Sequence, residues 1–502
     1  NIYENIKSVA DRYNMPEFDY VKWVNSEYLP TPTIVEAAQA LYRGHNVHDI
    51  TRSDAGAENL TVTTSEINRI IEHSKTNNRK SICFVTGVPG AGKTLVGLNL
   101  AIERSDAAQG EHAVFLSGNF PLVNVLQEAL ARDKVAQEKE NGNRVSKTDA
   151  LRKTSAFIQI IHKYRDSFVG NNNVPPERVA IFDEAQRAWT HAQIEQFMAS
   201  KKGVAEFPYS EPEFLISTMD RHDDWAVIVC LVGGGQEINT GEAGLPEWFD
   251  SLRKSFPDWD VYITPQLNDE EYRRDYKWND MICGLNIIER PELHLSTSVR
   301  SFRTPDLAAF VNALLDVDTE NARDLFNGFK EKYPIYITRS LETAKQWVKS
   351  KSQGTTRYGL LASSGALRLK PEGIFVKNDI SVANWFLNGK DDVRSSYALE
   401  DVVTEFDVQG LELDYNIVAW DADFRFIDGT WNYHSFVGNK WNNMSSEEKR
   451  LYLKNTYRVL LTRARQGFII FIPNGSCDDA TRNPEYYNGT HEYLRSLGIE
   501  EL

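Results

Sequence analysis

The sequence predicts an α/β protein of two lobes, each with a mostly parallel β-sheet that helices cover on both faces. Two successive sets of short apolar runs, interleaved with helical stretches, predict the two sheets. The first set is "HAVFLS", "RVAIFD", "WAVIVCLV" and "WDVYIT", and the second is "PIYITR", "RYGLLAS", "YNIVAW" and "GFIIFIP". A glycine-rich turn in "SICFVTGVPGAGKTLVGLNLA" joins a further strand to a helical pattern at the start of the first lobe.

The elements divide the chain into three parts. Residues 1–78 are expected to form an N-terminal helical annex, in which "TPTIVEAAQALYRG" is typical of a helix that ends near Gly44. Residues 79–285 are expected to form the first lobe, with a charged helical insertion at about 120–170, and a solvated helical hairpin is one interpretation of that insertion. Residues 286–502 are expected to form the second lobe, with an insertion at about 423–450 that is too polar for a core strand.

Composition describes an ordinary globular chain of 502 residues, 41% hydrophobic and 25% charged. The net charge of −15 argues against a generally basic surface that coats nucleic acid, although a local basic groove is compatible with it. The longest apolar run, from Trp225, is too short for a membrane span, and the polar start is not a secretory signal. The first residue is Asn rather than Met, which leaves room for a leader or a further domain upstream.

The cysteines favour a reducing, cytoplasmic setting. They are far apart, form no C-x-x-C pair and have no histidines at ligand spacing, so neither a zinc site nor a disulfide framework is indicated. They are Cys83, Cys230, Cys283 and Cys477.

The glycine-rich turn matches G-x-x-x-x-G-K-[ST], in which backbone N–H groups and a helix N-terminus cradle phosphates. Lys93 is expected to reach the β- and γ-phosphates, and Thr94 is expected to hold Mg²⁺. The strand before the turn and the helix after it strengthen the prediction of nucleotide binding. The candidate nucleotide-binding residues of the turn are Gly87, Val88, Pro89, Gly90, Ala91, Gly92, Lys93 and Thr94.

Two carboxylates follow the apolar strand in "RVAIFDEAQRAW". The carboxyl end of a parallel strand lies beside the phosphate loop, so Asp183 is expected to orient the water shell of the metal. Glu184 is expected to accept a proton from the water that attacks the γ-phosphate, or to align that water. The alternative is that the pair caps the N-terminus of an acidic helix start.

These motifs resemble a known family. "DEAQ", "LVGGGQEIN", "TSVRSFR", "TEFDVQGLE" and "YRVLLTRAR" follow the glycine loop in the order of the superfamily 1 helicase motifs. The fuller pattern, with "TGVPGAGKT", "RSDAGAENL" and "LLASSGALRL", is similar to the Schlafen-type (group 3) DNA/RNA helicase-like domain of bacterial proteins. The resemblance implies two RecA-like lobes with ATP bound between them.

The resemblance also implies catalytic residues beyond the glycine loop. Gln236 matches a glutamine that senses the γ-phosphate, while Arg300 and Arg463 match the two arginines that the second lobe directs at the nucleotide. Cations delivered across a cleft stabilise charge that develops on the γ-phosphoryl oxygens. Ordinary salt bridges are the alternative for both arginines, and Arg303 is a rival to Arg300.

Other matched positions concern the nucleic acid and the ribose. Gln409 and Gly410 match a loop near the phosphates and the bound strand, within the same motif as Thr404, and Glu412 matches a glutamate that contacts ribose. The candidate nucleic-acid contacts are Ser117, Asn119, Thr404 and Gln409. Ser117 and Asn119 are equally compatible with capping the next helix.

The sequence departs from the general pattern at three points. No glutamine precedes the glycine loop at the expected spacing, although Gln39 lies further upstream, so adenine selectivity rests on the resemblance alone. Gly234 stands where an Asp is usual, which bears on coupling between nucleotide and nucleic acid. No aromatic series for base stacking follows that motif, and the candidates elsewhere are Trp225, Trp248, Trp431 and Trp441.

Together these features predict a Mg²⁺-dependent ATPase of the superfamily 1 helicase type that acts on DNA or RNA, through a single-stranded segment. An ATP-gated regulatory or scaffold module without unwinding activity is the main alternative, favoured by Gly234 and the acidic charge. A small-molecule kinase is a third interpretation, but it leaves the second-lobe arginines unexplained. Proteins with this resemblance often carry a nuclease-like domain upstream, and one is possible here.

Overall fold

A computed structural model provides the structure of the chain. Residues 54–56, 201–202 and 304–305 are described by their backbone alone. The described residues are 32–45, 54–88, 90–105, 111–203, 207–233, 244–269, 272, 276–297 and 304–502.

An all-parallel sheet forms the first lobe. Its order is β3-β2-β4-β5-β1-β6-β7, and β8 pairs with the end of β1. The inner strands are buried along their length, as expected when helices cover both faces of a parallel sheet. The strands are β1 (Lys80–Gly87), β2 (Ala113–Ser117), β3 (Ile158–Ile160), β4 (Val179–Asp183), β5 (Ala226–Leu231), β6 (Asp260–Ile263), β7 (Asn286–Glu289) and β8 (His294–Leu295).

Helices cover both faces of this sheet. Thr33 and Glu36 form a capping box at the start of α1, which explains why the predicted N-terminal helix begins there. The helices of this part of the chain are α1 (Ile34–Tyr42), α2 (Asp54–Asn77), α3 (Lys93–Glu103), α4 (Phe120–Glu140), α5 (Lys147–Phe157), α6 (Ile161–Phe168), α7 (His191–Phe197), α8 (Glu211–Met219), α9 (Gly244–Ser255) and α10 (Trp278–Ile282). Short 3₁₀ or π turns lie at Ala185–Arg187, Met198–Lys202, Pro265–Asn268 and Pro291–Leu293.

The insertion at about 120–170 is part of the first lobe's core. Residues of α4 from Leu122 to Ala131 are mostly buried, and β3 adds a strand beside β2 at the edge of the sheet. This segment is therefore not a solvated hairpin, because it contributes both an apolar helix face and backbone pairing.

The first sheet continues beyond the predicted end of the first lobe at residue 285. β7 pairs with β6, and β8 pairs with the end of β1 through Gly87 and Leu295. The carbonyl of Leu295 also accepts a hydrogen bond from the N–H of Val88 at 3.1 Å. This short strand therefore supports the start of the glycine-rich turn from the side.

A second all-parallel sheet, with the order β11-β10-β12-β16-β9-β17, forms the other lobe. Its strands are β9 (Ile335–Thr338), β10 (Tyr358–Ala362), β11 (Val402–Val403), β12 (Leu413–Ala419), β16 (Ala464–Phe471) and β17 (Glu500–Glu501). The predicted α/β class with helix-covered parallel sheets is confirmed.

Helices also surround the second sheet. They are α11 (Thr304–Leu315), α12 (Thr319–Phe329), α13 (Leu341–Lys351), α14 (Val382–Leu387), α15 (Glu447–Leu461) and α16 (Glu485–Ser496), with 3₁₀ turns at Leu367–Glu372, Ser396–Ala398 and Ala480–Arg482.

The insertion at about 423–450 is a three-stranded antiparallel sheet of β13 (Phe424–Ile427), β14 (Thr430–Val437) and β15 (Lys440–Asn443). One of its faces packs on the lobe. The ring centroids of Phe424 and Trp431 are 4.3 Å apart, and Phe426 stacks on Tyr493 of α16 at 3.9 Å. Its polar residues therefore lie on strands, outside the main parallel sheet.

Within the part of the chain that the structure describes, no helix is both long enough and apolar enough to cross a membrane.

Gly359 in β10 provides a test of packing in the second lobe. A Cβ atom there would lie 2.3 Å from Cη2 of Trp385, whose ring is buried. We expect Gly359→Ala to lower the free energy of unfolding by about 1–3 kcal/mol, because the rigid ring must shift. Urea denaturation measures the change.

Gly328 in α12 is the matched control, since a Cβ atom there would meet nothing within 4 Å. Gly328→Ala should leave stability unchanged or raise it by about 0.5–1 kcal/mol, because alanine favours the helix. Equal effects of the two substitutions would contradict the packing argument.

Candidate nucleotide site and interlobe contacts

The glycine-rich turn lies between β1 and α3, at the carboxyl edge of the first sheet. Gly90 and Gly92 have φ angles of 76° and 89°, in the left-handed region that favours glycine. Gly92 is the N-cap of α3 and has no side chain to close the helix end. The first N–H groups of α3 therefore face a turn shaped by backbone, as phosphate cradles require.

Lys93 and Thr94 open α3. The Lys93 ammonium donates to the carbonyl of Gly87 at 2.7 Å, so it lies over the turn. Thr94 Oγ1 donates to Asp183 Oδ1 at 3.1 Å, which connects the start of α3 to the end of β4. These two predicted site residues and Asp183 are thus brought together.

α3 lies close to the sheet because Gly97 has no side chain. A Cβ atom at Gly97 would be 2.7 Å from Leu231 Cδ1 and 3.0 Å from Ile181 Cγ2. The residues that follow the turn are therefore fixed directly on β4 and β5.

Asp183 is a buried carboxylate, 7% exposed. Burial raises the pKa of Asp183 to about 7, the neighbouring Glu184 raises it further, and the hydrogen bond from Thr94 opposes the shift. A cation beside this carboxyl group would favour its ionised form.

Oxygen donors of this kind suit Mg²⁺, which is usually held by one or two protein ligands together with phosphates and water. Thr94 and Asp183 supply a hydroxyl and a carboxylate next to the phosphate cradle. Among the described residues, no group of three or more His, Cys, Asp or Glu could hold a metal ion by itself. The donor set therefore fits a metal that is shared with a bound triphosphate.

Glu184 has φ 54° and ψ 48°, a left-handed conformation that is uncommon for a residue with a side chain. Gln186 fixes its carboxylate, because Gln186 Nε2 donates to Glu184 Oε2 at 2.5 Å and Gln186 Oε1 accepts from the N–H of Gly233 at 3.0 Å. Any Cβ atom at Gly233 would approach Glu184 Oε2 to 3.0 Å. The glutamine thus links the loop after β4 to the loop after β5.

The sequence analysis did not single out Gln186 or Arg187, although both lie in the quoted "DEAQRAW" motif. Arg187 Nε is 3.6 Å from Glu184 Oε2, and its guanidinium donates to the side-chain oxygen of Gln409 in the second lobe. Asn119 Nδ2 donates to the backbone carbonyl of Gln409. Gln409 therefore contacts two loops of the first lobe.

Gly410 completes this contact between lobes. Its φ is 73°, and a Cβ atom would be 2.8 Å from Asn119 Nδ2 and 3.1 Å from Leu122 Cδ2. Farther along α4, Arg132 donates to Asn388 Oδ1 at 2.7 Å and to Asn384 Oδ1 at 3.1 Å. The two lobes meet through polar contacts along one side of α4.

The remaining predicted contacts with nucleic acid or ribose lie near the lobe interface or in the loops that reach it. Ser117 is 1% exposed and accepts from the N–H of Asn119 at 3.2 Å, while Asn119 also caps α4 through the N–H of Leu122. Thr404 is 7% exposed and donates to Asp407 at 2.7 Å. Glu412 is half-buried next to β12. The capping alternative thus describes Asn119, and its amide still reaches the other lobe.

Arg463 lies between α15 and β16. Its guanidinium donates to the carbonyl of Val459 at 3.1 Å, and its own carbonyl accepts from the N–H of Leu413 at 3.1 Å. The residue is therefore held at the start of β16, beside the loop that follows Gln409 and Gly410.

Several predicted positions lie outside the described residues. They are Pro89, Gly234, Gln236, Arg300 and Arg303. Their assignments stay predictions.

The tryptophans proposed for base stacking are mostly in the core. Trp225, Trp248 and Trp431 are 6%, 0% and 5% exposed, and Trp441 is half-buried with its Nε1 donating to the carbonyl of Thr481. Three of the four rings therefore offer no accessible face to a base.

Residues 80–474 match the family model described as the Schlafen group 3, DNA/RNA helicase domain. The chain belongs to this family. The predicted family resemblance is confirmed, and the two parallel sheets are RecA-like lobes. The matched segment lends no support to a nuclease-like domain upstream.

Solved helicase structures are also similar to the chain. The helicase domain of Pyrococcus furiosus Hef has 11% identity and a TM-score of 0.26, over 82% of this chain and 96% of that chain. The DUF1998 helicase MrfA bound to DNA has 11% identity and a TM-score of 0.29, and the match spans 95% of this chain but 62% of MrfA. S. cerevisiae Dbp5 bound to RNA and ADP BeF3 has 9% identity and a TM-score of 0.26, over 90% and 93%. No curated protein matches the chain.

Asn119 allows the helix cap and the interlobe bond to be separated. Asn119→Ala removes both, so we expect the free energy of unfolding to fall by about 0.5–2 kcal/mol. Asn119→Asp keeps an acceptor for the N–H of Leu122 but has no donor for the carbonyl of Gln409. Both variants should speed amide hydrogen exchange in residues 404–411, and only the alanine variant should lose the cap. Wild-type exchange in the aspartate variant would show that this bond does not hold the loop.

Proposed function

We propose that the chain is a Mg²⁺-dependent ATPase that moves along or remodels DNA or RNA through a single-stranded segment held across its two lobes. The observation that carries the proposal is the hydrogen bond between Thr94 and Asp183 at the edge of the glycine-rich turn. It brings a hydroxyl, a carboxylate and the N-terminus of α3 to one place, where a triphosphate and its metal both need ligands.

Each residue then has a distinct role. Lys93, which lies over the turn, would leave the carbonyl of Gly87 to contact the β- and γ-phosphates. Thr94 and Asp183 would hold Mg²⁺, which when bound neutralises charge on the phosphate oxygens. Glu184 would orient the attacking water and accept its proton, with its carboxylate positioned by Gln186.

The second lobe would supply both regulation and transition-state charge. Arg463 lies next to the chain segment that contains Gln409 and Gly410, and that segment contacts the first lobe at Asn119. A strand that favours closure of the lobes would therefore bring the second-lobe arginines toward the nucleotide. The dispersed cysteines support a cytoplasmic setting for this activity.

Hydrolysis measured with and without single-stranded DNA, duplex DNA and RNA tests this function. We expect single strands to raise the ATPase rate of the wild-type chain, and binding should weaken steeply with salt because phosphate contacts release counterions. Lys93→Ala should abolish hydrolysis and weaken ATP binding, whereas Glu184→Gln should bind ATP and fail to turn over.

Wild-type turnover by the Glu184→Gln variant would remove the proposed role of that carboxylate. If no nucleic acid changes the rate or binds at low salt in the presence of a nonhydrolysable ATP analogue, the ATP-gated regulatory module replaces the helicase proposal.

Arg463→Ala should lower kcat by about a hundredfold or more while changing ATP affinity little, because the charge it meets grows mainly in the transition state. Arg450→Ala is the control, since Arg450 lies on α15 and is exposed. It should keep wild-type kinetics. An Arg463 variant that loses affinity with unchanged kcat would instead make this residue a ground-state contact.

A further inference from the structure

Two phenylalanines expose their rings more than any other aromatic residue among those described. Phe120 is 58% exposed and Phe406 is 53% exposed. The other exposed aromatic rings are Tyr276 at 51%, Phe375 at 42% and Tyr209 at 38%. A single exposed apolar residue is ordinary, so the informative feature is where these two lie.

Both phenylalanines adjoin the contact between Asn119 and Gln409. Phe120 directly follows Asn119, and Phe406 precedes Gln409 by three residues. Chain geometry limits the separation of their Cα atoms to about 20 Å, which a few nucleotides of extended strand can span. One ring belongs to each lobe, and the seam between lobes runs between them.

The loop that carries Phe406 is fixed by buried hydrogen bonds. Thr404 donates to Asp407 through its N–H at 2.8 Å and its hydroxyl at 2.7 Å. Glu405, which is 4% exposed, accepts from the Ser364 hydroxyl at 2.6 Å and the Thr456 hydroxyl at 3.3 Å. With anchored residues on both sides, Phe406 is held outward.

Phe120 is fixed in a comparable way. It is the first residue of α4, directly after the Asn119 cap, and Pro121 follows it. Leu122 and Val123 on the same helix are buried at 2% and 0%. The helix therefore commits its next apolar residues to the core and leaves the first ring outside.

The positions favour a strand of nucleic acid as the occupant. These loops follow β2 and β11, at the carboxyl edge of each parallel sheet, where ligands of such folds bind. The family is a DNA/RNA helicase domain, and three of its tryptophans with possible stacking roles are buried. With a net charge of −15, grip through bases is less opposed by the protein's own charge than grip through phosphates alone.

We propose that Phe120 and Phe406 form a two-part stacking platform for unpaired bases, one ring from each lobe, on either side of the Asn119 to Gln409 contact. This rests on the proposed function and names the part of the strand that the seam recognises. Stacking on a ring tolerates any base, so the platform would bind single strands with little sequence preference. Movement between lobes would change the spacing of the rings and hence the spacing of the bases they hold.

Oligonucleotides with and without bases test the platform. Fluorescence anisotropy with a nonhydrolysable ATP analogue would compare oligo-dT, its RNA counterpart oligo-U and a strand of equal length with central abasic sites. We expect the wild-type chain to bind both intact strands about tenfold or more tighter than the abasic strand. Phe120→Ala with Phe406→Ala should remove that difference and leave affinity for the abasic strand unchanged.

Three further readouts separate the alternatives. Tyr276→Ala is the control for an exposed aromatic residue outside the two loops, and it should keep the wild-type preference. Phe120→Leu with Phe406→Leu should also lose the preference, because leucine is apolar but has no ring face. The slope of affinity against salt should stay at the wild-type value in all variants, since the phosphate contacts are retained.

The outcomes also distinguish this inference from the function on which it rests. Equal binding of intact and abasic strands by the wild-type chain would overturn the platform and leave the helicase function standing. No binding of any strand would overturn both. If the alanine variants bind all strands normally but the wild-type chain dimerises through these rings, the surface is a protein contact instead.

Discussion

The hydrogen bond from Thr94 to Asp183 is the constraint on which the nucleotide site depends. It joins the first turn of α3 to the end of β4, and Gly97 allows α3 to lie directly on the sheet. Shape of the phosphate cradle is therefore set by helix-on-sheet packing, far more than by the flexible turn. Because Asp183 is buried, its carboxylate is costly to leave without a cation, so the same packing that fixes the residue also prepares it for a metal.

The loop after β4 connects this chemistry to the second lobe. Glu184 stands in a left-handed conformation, with Gln186 on one side of its carboxylate and Arg187 on the other. Arg187 also donates to Gln409, so the neighbour of the proposed catalytic carboxylate contacts a loop of the other lobe. A shift of the lobes would alter the charge beside Glu184 as well as the distance to Arg463. Since a ligand can only favour a state that it contacts differently, this double contact gives a bound strand a physical means to affect hydrolysis.

Local sequence patterns predicted the elements that local physics determines. The glycine spacing of the phosphate loop and the apolar runs of β2, β4, β5 and β6 indicated both type and position, because periodicity and backbone permissiveness act within a few residues. β3, β7 and β8 have only two to four residues, and their existence depends on edge pairing with strands distant in the chain.

The same limit applies to the site. Thr94, Asp183 and Glu184 were predicted because a parallel sheet brings strand ends to one edge. The bond between Asn119 and Gln409 joins residues 290 positions apart, and no local pattern contains that information. The exposure of Phe120 and Phe406 also depends on the final packing, because either phenylalanine has the composition of a core residue.

The two lobes use buried carboxylates at strand ends for different purposes. Beyond β12, Asp421 accepts hydrogen bonds from the Tyr487 hydroxyl and the N–H of Arg368, while Asp423 accepts from the Tyr457 and Ser363 hydroxyls. Burial and the charge of Asp421 raise the pKa of Asp423 to about 7, as burial and Glu184 do for Asp183.

The difference lies in what surrounds each carboxylate. In the second lobe every carboxylate oxygen of Asp421 and Asp423 already has a protein donor, so the pair serves to fix the loops beyond β10 and β12. Asp183 receives one hydroxyl, from Thr94, and lies beside a cradle of backbone N–H groups. Similar burial at equivalent sheet edges therefore gives a structural anchor in one lobe and a metal-ready carboxylate in the other, and it explains why the chemistry belongs to the first lobe while the second supplies rigid loops that approach it.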